Sequence, residues 1–130
     1  MARYDLWFPT IKVEEGSIMT KDPSDSGGRT VYGISEVKHP GNPIWAKIDA
    51  AGLQPGDDCS AFVKDFYNFY YIEFWVPCGG NLLTDQATAQ KIADSAVNGG
   101  IPEAIKEMQA VVNVPLTGVM DITTIQALNN

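Results

Sequence analysis

Apolar positions recur at three- and four-residue steps over most of this chain, a spacing that predicts helices. The strongest run lies at residues 57–77, where Phe62, Phe66, Phe69, Tyr70 and Phe74 form one stripe. Ala61, Tyr67, Tyr71 and Trp75 widen it, so that this helix is expected to be buried over much of its surface. Asp57 or Asp58 can cap it, and Pro77 ends it ahead of Gly79-Gly80. A second helix is expected over 84–99, with Thr84 as cap, Ala87, Ile92, Ala93, Ala96 and Val97 inward, and Asn98-Gly99-Gly100 as the stop. A third, over 101–113, has Pro102 in its first turn and an apolar face of Ile105, Met108, Val111 and Val112. A short last helix, Ile122 to Leu128, follows a turn at Leu116–Asp121 and is capped by Asp121.

The N-terminal third is less regular. Leu6, Trp7, Phe8, Ile11 and Val13 point to a helix that begins around Asp5 or, with Pro9 as a first-turn residue, at Pro9. Either way it ends near Glu15 and Gly16. Residues 20–35 break the helical period. Lys21-Asp22-Pro23-Ser24-Asp25-Ser26-Gly27-Gly28 is a polar turn region, and Thr30-Val31-Tyr32-Gly33-Ile34 reads as a short strand, so a hairpin is expected here. His39 to Pro43 reads as a loop, followed by one or two helical turns around Ile44–Ile48 that end at Gly52.

Length and composition narrow the function. At 130 residues the chain fits one domain with a single core. Net charge is -7, from 9 Lys+Arg against 16 Asp+Glu, and no basic run is present to neutralise phosphates. That argues against nucleic acid as a partner. No apolar run is long enough to span a membrane, and no signal peptide is evident after Met1, so synthesis in the cytoplasm and action as a monomer are expected. Cys59 and Cys78 are expected as two buried thiols, because they flank one helix and are poorly placed to bond. With His39 the sole histidine, ligands for a zinc-type metal site are lacking, and no cofactor is expected.

Candidate chemistry concentrates between Glu14 and Ser35. A helix-borne carboxylate facing a hairpin-borne one can cleave a glycosidic bond, since one carboxyl protonates the leaving oxygen while the other handles water or the sugar cation. Asp22 and Asp25 read equally as side-chain caps of turns, Thr30 as an ordinary strand residue, and Glu14 as a solvated helix end. Trp45 reads as a core residue or as a wall of a sugar groove. Asn98 reads as a helix C-cap or as a sugar contact.

The order Glu15-Gly16, then Asp22-Pro23-Ser24-Asp25-Ser26-Gly27-Gly28-Arg29-Thr30, then Gly33-Ile34-Ser35 resembles the signature of glycoside hydrolase family 108, the lysozyme-like N-acetylmuramidases that include phage endolysins. It is also similar to the T-even phage lysozyme arrangement, in which an Asp and a Thr follow a Glu-Gly on a helix. Where the family typically has Glu-Gly-Gly and an aromatic, this chain has Glu15-Gly16-Ser17-Ile18, and it has Ser35 for the usual Thr. Asp94-Ser95-Ala96-Val97-Asn98-Gly99-Gly100 resembles a further family element, and the tail from Gly118 to Leu128 resembles a small peptidoglycan-binding motif.

The resemblance implies a mainly α, lysozyme-like fold with a small β-hairpin lobe. Residues 1–80 would be the catalytic region, and 81–130 a peptidoglycan-binding-like segment packed on it. It implies Glu15 as general acid, Asp25 as the second carboxylate and Thr30 as the residue that orients water. Asp22, Tyr32, Trp45 and Asn98 would contact the substrate, the peptidoglycan glycan strand. Lytic transglycosylase action through Glu15 alone, and a non-catalytic glycan-binding domain, are the alternatives.

Overall fold

The computed structural model describes residues 1–21 and 28–130, with residues 12–15 described by their backbone alone. The described elements run α1 (Tyr4–Glu15), β1 (Thr20–Lys21), β2 (Arg29–Val31), β3 (Ile34–Ser35), α2 (Ile44–Ala50), a 3-10 turn (Ser60–Phe62), α3 (Val63–Tyr70), a π turn (Tyr71–Trp75), α4 (Gln86–Gly99), α5 (Ile101–Val111) and α6 (Ile122–Leu128). The fold is therefore mainly helical with one small antiparallel sheet, in the order β1-β2-β3. No helix among the described residues is long and apolar enough to cross a membrane. The chain divides into two compact units, Met1–Trp7 with Phe69–Asn130, and Phe8–Asn68.

Helix α1 starts at Tyr4 and carries Pro9 in its interior, so Pro9 is not a first-turn residue. An interior proline removes one backbone bond and costs about 3 kcal/mol. Against that, Tyr4, Trp7, Phe8 and Ile11 are all buried at helical spacing, and each contributes about 2 kcal/mol. Four such side chains outweigh the proline.

In the first unit, Trp7 stacks on Trp75 at 5.6 Å between centroids, and Tyr4 meets Tyr71 edge-on at 5.0 Å. The polar edges of this aromatic cluster are satisfied. The Trp7 indole N–H donates to Asp94 Oδ1 at 2.7 Å, the Trp75 N–H donates to Asn81 Oδ1 at 3.0 Å, and Asn81 donates to the Tyr71 hydroxyl at 2.6 Å. The expected single helix over 57–77 is in fact three pieces, because the chain tightens into a 3-10 turn at its start and widens into a π turn at its end. Its burial is narrower than expected: Phe66, Tyr70 and Trp75 are buried, while Tyr67 and Ile72 are exposed.

Helix α4 begins one turn-position later than expected, with Asp85 rather than Thr84 as cap; Asp85 accepts the Thr88 N–H at 2.9 Å. Gly100, at φ +98°, ends α4 and opens α5, which packs against it. On α5 the buried positions are Ala104, Ile105 and Gln109, and Val111 faces solvent, so the expected apolar face is rotated. A polar side chain is the reason. The fully buried Gln109 amide donates to Thr117, Val119 and Thr124, and accepts the Gly118 N–H at 3.0 Å, joining α5 to the turn before α6. Helix α6 has the expected bounds and its expected cap, Asp121, which accepts the Thr124 N–H at 2.9 Å.

The second unit holds the sheet. Its core is Phe8, Ile11, Met19, Val31, Tyr32, Ile34, Ile44, Trp45, Ile48, Cys59 and Phe66. Helix α2 lies where helical turns were expected, with Gly52 at φ +72° two residues past its end. Cys59 and Cys78 are free and buried, as expected.

Candidate active site

The site is built from the end of α1 outward. Gly16 has φ +73°, a left-handed conformation that costs glycine nothing and stops the helix directly after Glu15. The next three residues run alongside 56–59. Cys59 N–H donates to Ser17 O at 2.8 Å, Met19 N–H to Asp57 O at 2.9 Å, and Gly56 N–H to Met19 O at 2.7 Å. The chain then enters β1, which pairs Thr20 with Thr30 and Lys21 with Arg29.

Residues 30–34, expected as one strand, are two strand ends and a turn. Val31 pairs with Ile34, leaving Tyr32-Gly33 as a two-residue turn. Both have positive φ, 49° and 76°, as a type I′ hairpin turn requires. Positive φ is unusual for an aromatic residue and costs about 1 kcal/mol or more. Two of its described contacts hold Tyr32 there. Its N–H donates to Gly16 O at 3.0 Å, and its ring packs on Phe66 at 4.5 Å. The tip of the hairpin is thus fastened to the residue that follows Glu15.

Arg29 organises the opposite end of β2. Its guanidinium forms a two-pronged pair with Glu36, Nε to Oε1 at 2.9 Å and a terminal nitrogen to Oε2 at 2.7 Å, and its other nitrogen reaches Asp49 at 2.6 Å. The backbone repeats the link, with Glu36 N–H donating to Arg29 O at 2.8 Å. The same guanidinium lies 5.2 Å from the Trp45 ring centre, and the Trp45 N–H donates to His39 O at 2.9 Å. Hydrogen bonds from Arg29 hold the Glu36 carboxyl below its ordinary range, and those to Glu36 and Asp49 hold Arg29 protonated.

A second polar group lies beside Cys59. Asp58 accepts from Ser60 N–H at 2.9 Å and from the Ser60 hydroxyl at 3.1 Å. Burial pushes the Tyr32 phenol up, reinforced by the nearby Asp58 charge, whereas the Ser17 and Ser60 bonds pull Asp58 down.

The residues singled out in the sequence fall as follows. Glu15 is the last residue of α1, its side chain outside the described residues. Asp22 and Asp25 also lie outside them. Thr30 sits mid-β2, half-buried, with Thr20 and Ser35 as its cross-strand neighbours. Tyr32 and Trp45 are 3% and 4% exposed, so both are core side chains. Asn98 is exposed in the last turn of α4, in the other unit. The sheet therefore brings together the end of α1, Thr30 and Tyr32, with Trp45 reached through Arg29.

Sequence reasoning passed over Arg29 and Glu36. A signal for both existed. A Tyr-Gly turn between Val31 and Ile34 makes residues 29 and 36 cross-strand partners of opposite charge.

Residues 8–100 match the description "Glycosyl hydrolase 108". The chain belongs to the glycosyl hydrolase 108 family. The matched stretch takes in all of the Glu15-to-Ser35 region together with α2, α3 and α4. Among solved structures, Brucella abortus SagA is similar with a TM-score of 0.69 and 23% identity, over 96% of this chain and 67% of that one. That likeness agrees with the expected lysozyme-like fold. No curated protein sequence matches. As a family member the chain is a glycoside hydrolase, and the chemistry to be read from its site is cleavage of a bond between sugars.

Proposed function

We propose that this glycoside hydrolase is a lysozyme-type N-acetylmuramidase that cleaves the glycan backbone of peptidoglycan. Glu15 is the general acid that protonates the leaving oxygen. Asp25 positions the attacking water or stabilises the oxocarbenium-like transition state, and Thr30 orients that water. For its task Glu15 needs a carboxyl that stays protonated when the glycan binds. The observation that carries this reading is the family match across Glu15, Asp25 and Thr30, on a backbone that joins the end of α1 to the sheet through Gly16 and Tyr32. Asp22 adds a contact along the glycan strand, and the segment from 81 to 130, Asn98 included, binds glycan in its own right. No cofactor takes part, and the protein, made in the cytoplasm, acts on the cell wall as a monomer, in the manner of an endolysin.

Mass spectrometry of the soluble products from purified peptidoglycan tests the reading. Fragments ending in reducing N-acetylmuramic acid support it. Anhydro-muramic ends identify a lytic transglycosylase that needs Glu15 alone, and binding to the sacculus without any released fragment identifies a glycan-binding domain.

A further inference from the structure

Strand β2 is three residues long and meets each neighbour at two pairs, Thr20–Thr30 and Lys21–Arg29 on one side, Thr30–Ser35 and Val31–Ile34 on the other. So short a ladder is marginal in water without further support. Arg29 supplies support at the end away from the Tyr32-Gly33 turn. Four hydrogen bonds join it to Glu36: the Arg29 backbone N–H to Oε1 at 3.2 Å, Nε to Oε1 at 2.9 Å, a terminal nitrogen to Oε2 at 2.7 Å, and Glu36 N–H back to Arg29 O at 2.8 Å. The other terminal nitrogen ties β2 to α2 through Asp49, and α2 is tied to α3 by Lys47 and Asp65 at 2.5 Å. Consecutive strand residues face opposite ways. The clamp therefore grips the face that buries Val31 and Ile34, while Thr30 stands on the other, in a row with Thr20 and Ser35. Among the described residues nothing bonds the Thr30 hydroxyl, although the Thr30 carbonyl accepts from the Thr20 hydroxyl at 3.4 Å. Threonine is stiff at χ1, so that hydroxyl is aimed by the backbone of β2, one residue from the clamp.

We infer that Arg29 is a positioning residue, which by clamping Glu36 and Asp49 fixes the start of β2 and with it the place of the Thr30 hydroxyl in the site. The inference rests on the functional reading above, in which Thr30 orients the attacking water. A group misplaced by about 1 Å in such a site can cost a hundredfold in rate. A lysine ammonium keeps the charge but cannot serve both Glu36 oxygens and Asp49 as the guanidinium fork does, so Arg29→Lys loosens β2 while leaving a cation beside the two carboxylates.

The test compares the native chain with Arg29→Lys, Glu36→Gln, Thr30→Ala, the Arg29→Lys/Thr30→Ala double variant and Glu15→Gln in steady-state release of reducing ends from solubilised glycan strands. Rates are expressed per folded molecule, with the folded fraction taken from circular dichroism. Arg29→Lys is expected to lower kcat about tenfold with KM changed by less than about twofold, and Glu36→Gln, which opens the clamp from the other side, to do the same. In the Thr30→Ala background Arg29→Lys is expected to cost less than about twofold, because the hydroxyl that it misplaces is already gone. A merely structural arginine gives either native kcat per folded molecule or the same loss with and without the Thr30 hydroxyl, and either result overturns the inference. Native kcat in Thr30→Ala overturns it as well. Any of these results with Glu15→Gln inactive removes the positioning role and leaves the general acid in place. Full activity in Glu15→Gln removes the general acid, while the paired losses still decide the role of Arg29. No release by the native chain overturns both.

Discussion

Replacing Arg29 with alanine should destabilise the second unit by about 3 kcal/mol. The guanidinium side chain is 15% exposed and its main partner Glu36 is 29% exposed. The pair therefore stands between a surface ion pair, worth at most about 1 kcal/mol, and a buried one, whose rupture costs about 3–5 kcal/mol. Its geometry favours the upper part of that interval, since both Glu36 oxygens are bonded by separate guanidinium nitrogens. About 2 kcal/mol is assigned to stranding Glu36, and about 1 kcal/mol to uncovering the Trp45 face. The second partner, Asp49, is too exposed to add much. Equilibrium urea unfolding measures the effect. With an m-value of about 1.5 kcal/mol per molar, the midpoint should fall by about 2 M at unchanged slope. Arg29→Lys should lose about half as much, because an ammonium cannot serve both oxygens of Glu36 in the fork geometry. A loss below about 0.5 kcal/mol for Arg29→Ala would place the pair with ordinary surface ion pairs and refute the view that it clamps the hairpin.

Other consequences can be checked alongside. Glu36 has its carboxyl lowered by Arg29, so its contribution is fully present above the unfolded carboxyl pKa of about 4.3 and is lost as pH falls through the lower folded value; Glu36→Gln should flatten the stability profile in that acid range. Gln109→Leu should cost about 1–3 kcal/mol by thermal or urea unfolding, since it strands the buried Gly118 N–H, whereas the Thr117 and Thr124 hydroxyls keep Asp121 as their acceptor. Gly80→Ala places a methyl 2.2 Å from the Trp75 ring and should cost about 3 kcal/mol or leave the chain unfolded, seen as loss of near-ultraviolet circular dichroism. Burial pushes the Cys78 thiol up to about 12 and raises Cys59 as well, so both should react with a thiol reagent only after denaturation.

The helices were legible where apolar spacing and a stop residue agreed. Asp121 with Leu128 bounded α6 correctly, and the Asn98-Gly99-Gly100 stop ended α4. The start of α1 around Asp5 was legible, and the alternative start at Pro9 failed because a local rule competes there with four buried side chains. The face of α5 was misread for a similar reason. A glutamine is assigned to the surface by its chemistry, and only the hydroxyls and carbonyl arriving from Thr117, Val119 and Thr124 make its burial favourable. In the site, the motif located the end of α1 and the hairpin, but the register did not follow from it. Tyr32 supplied a strong strand propensity while its backbone took the turn, and Trp45 gave no hint in sequence that an arginine would cover its ring. Contacts set by register are invisible until the turn is placed.

The measurement that bears most directly on the account is release of reducing ends from purified peptidoglycan by the native chain and by Glu15→Gln. Glutamine keeps the shape of the side chain and removes its acidic proton. Cleavage by the native protein and none by Glu15→Gln, with both still bound to the glycan, is the result the account predicts. Equal cleavage by the two proteins would contradict it, and would move the general acid to another residue.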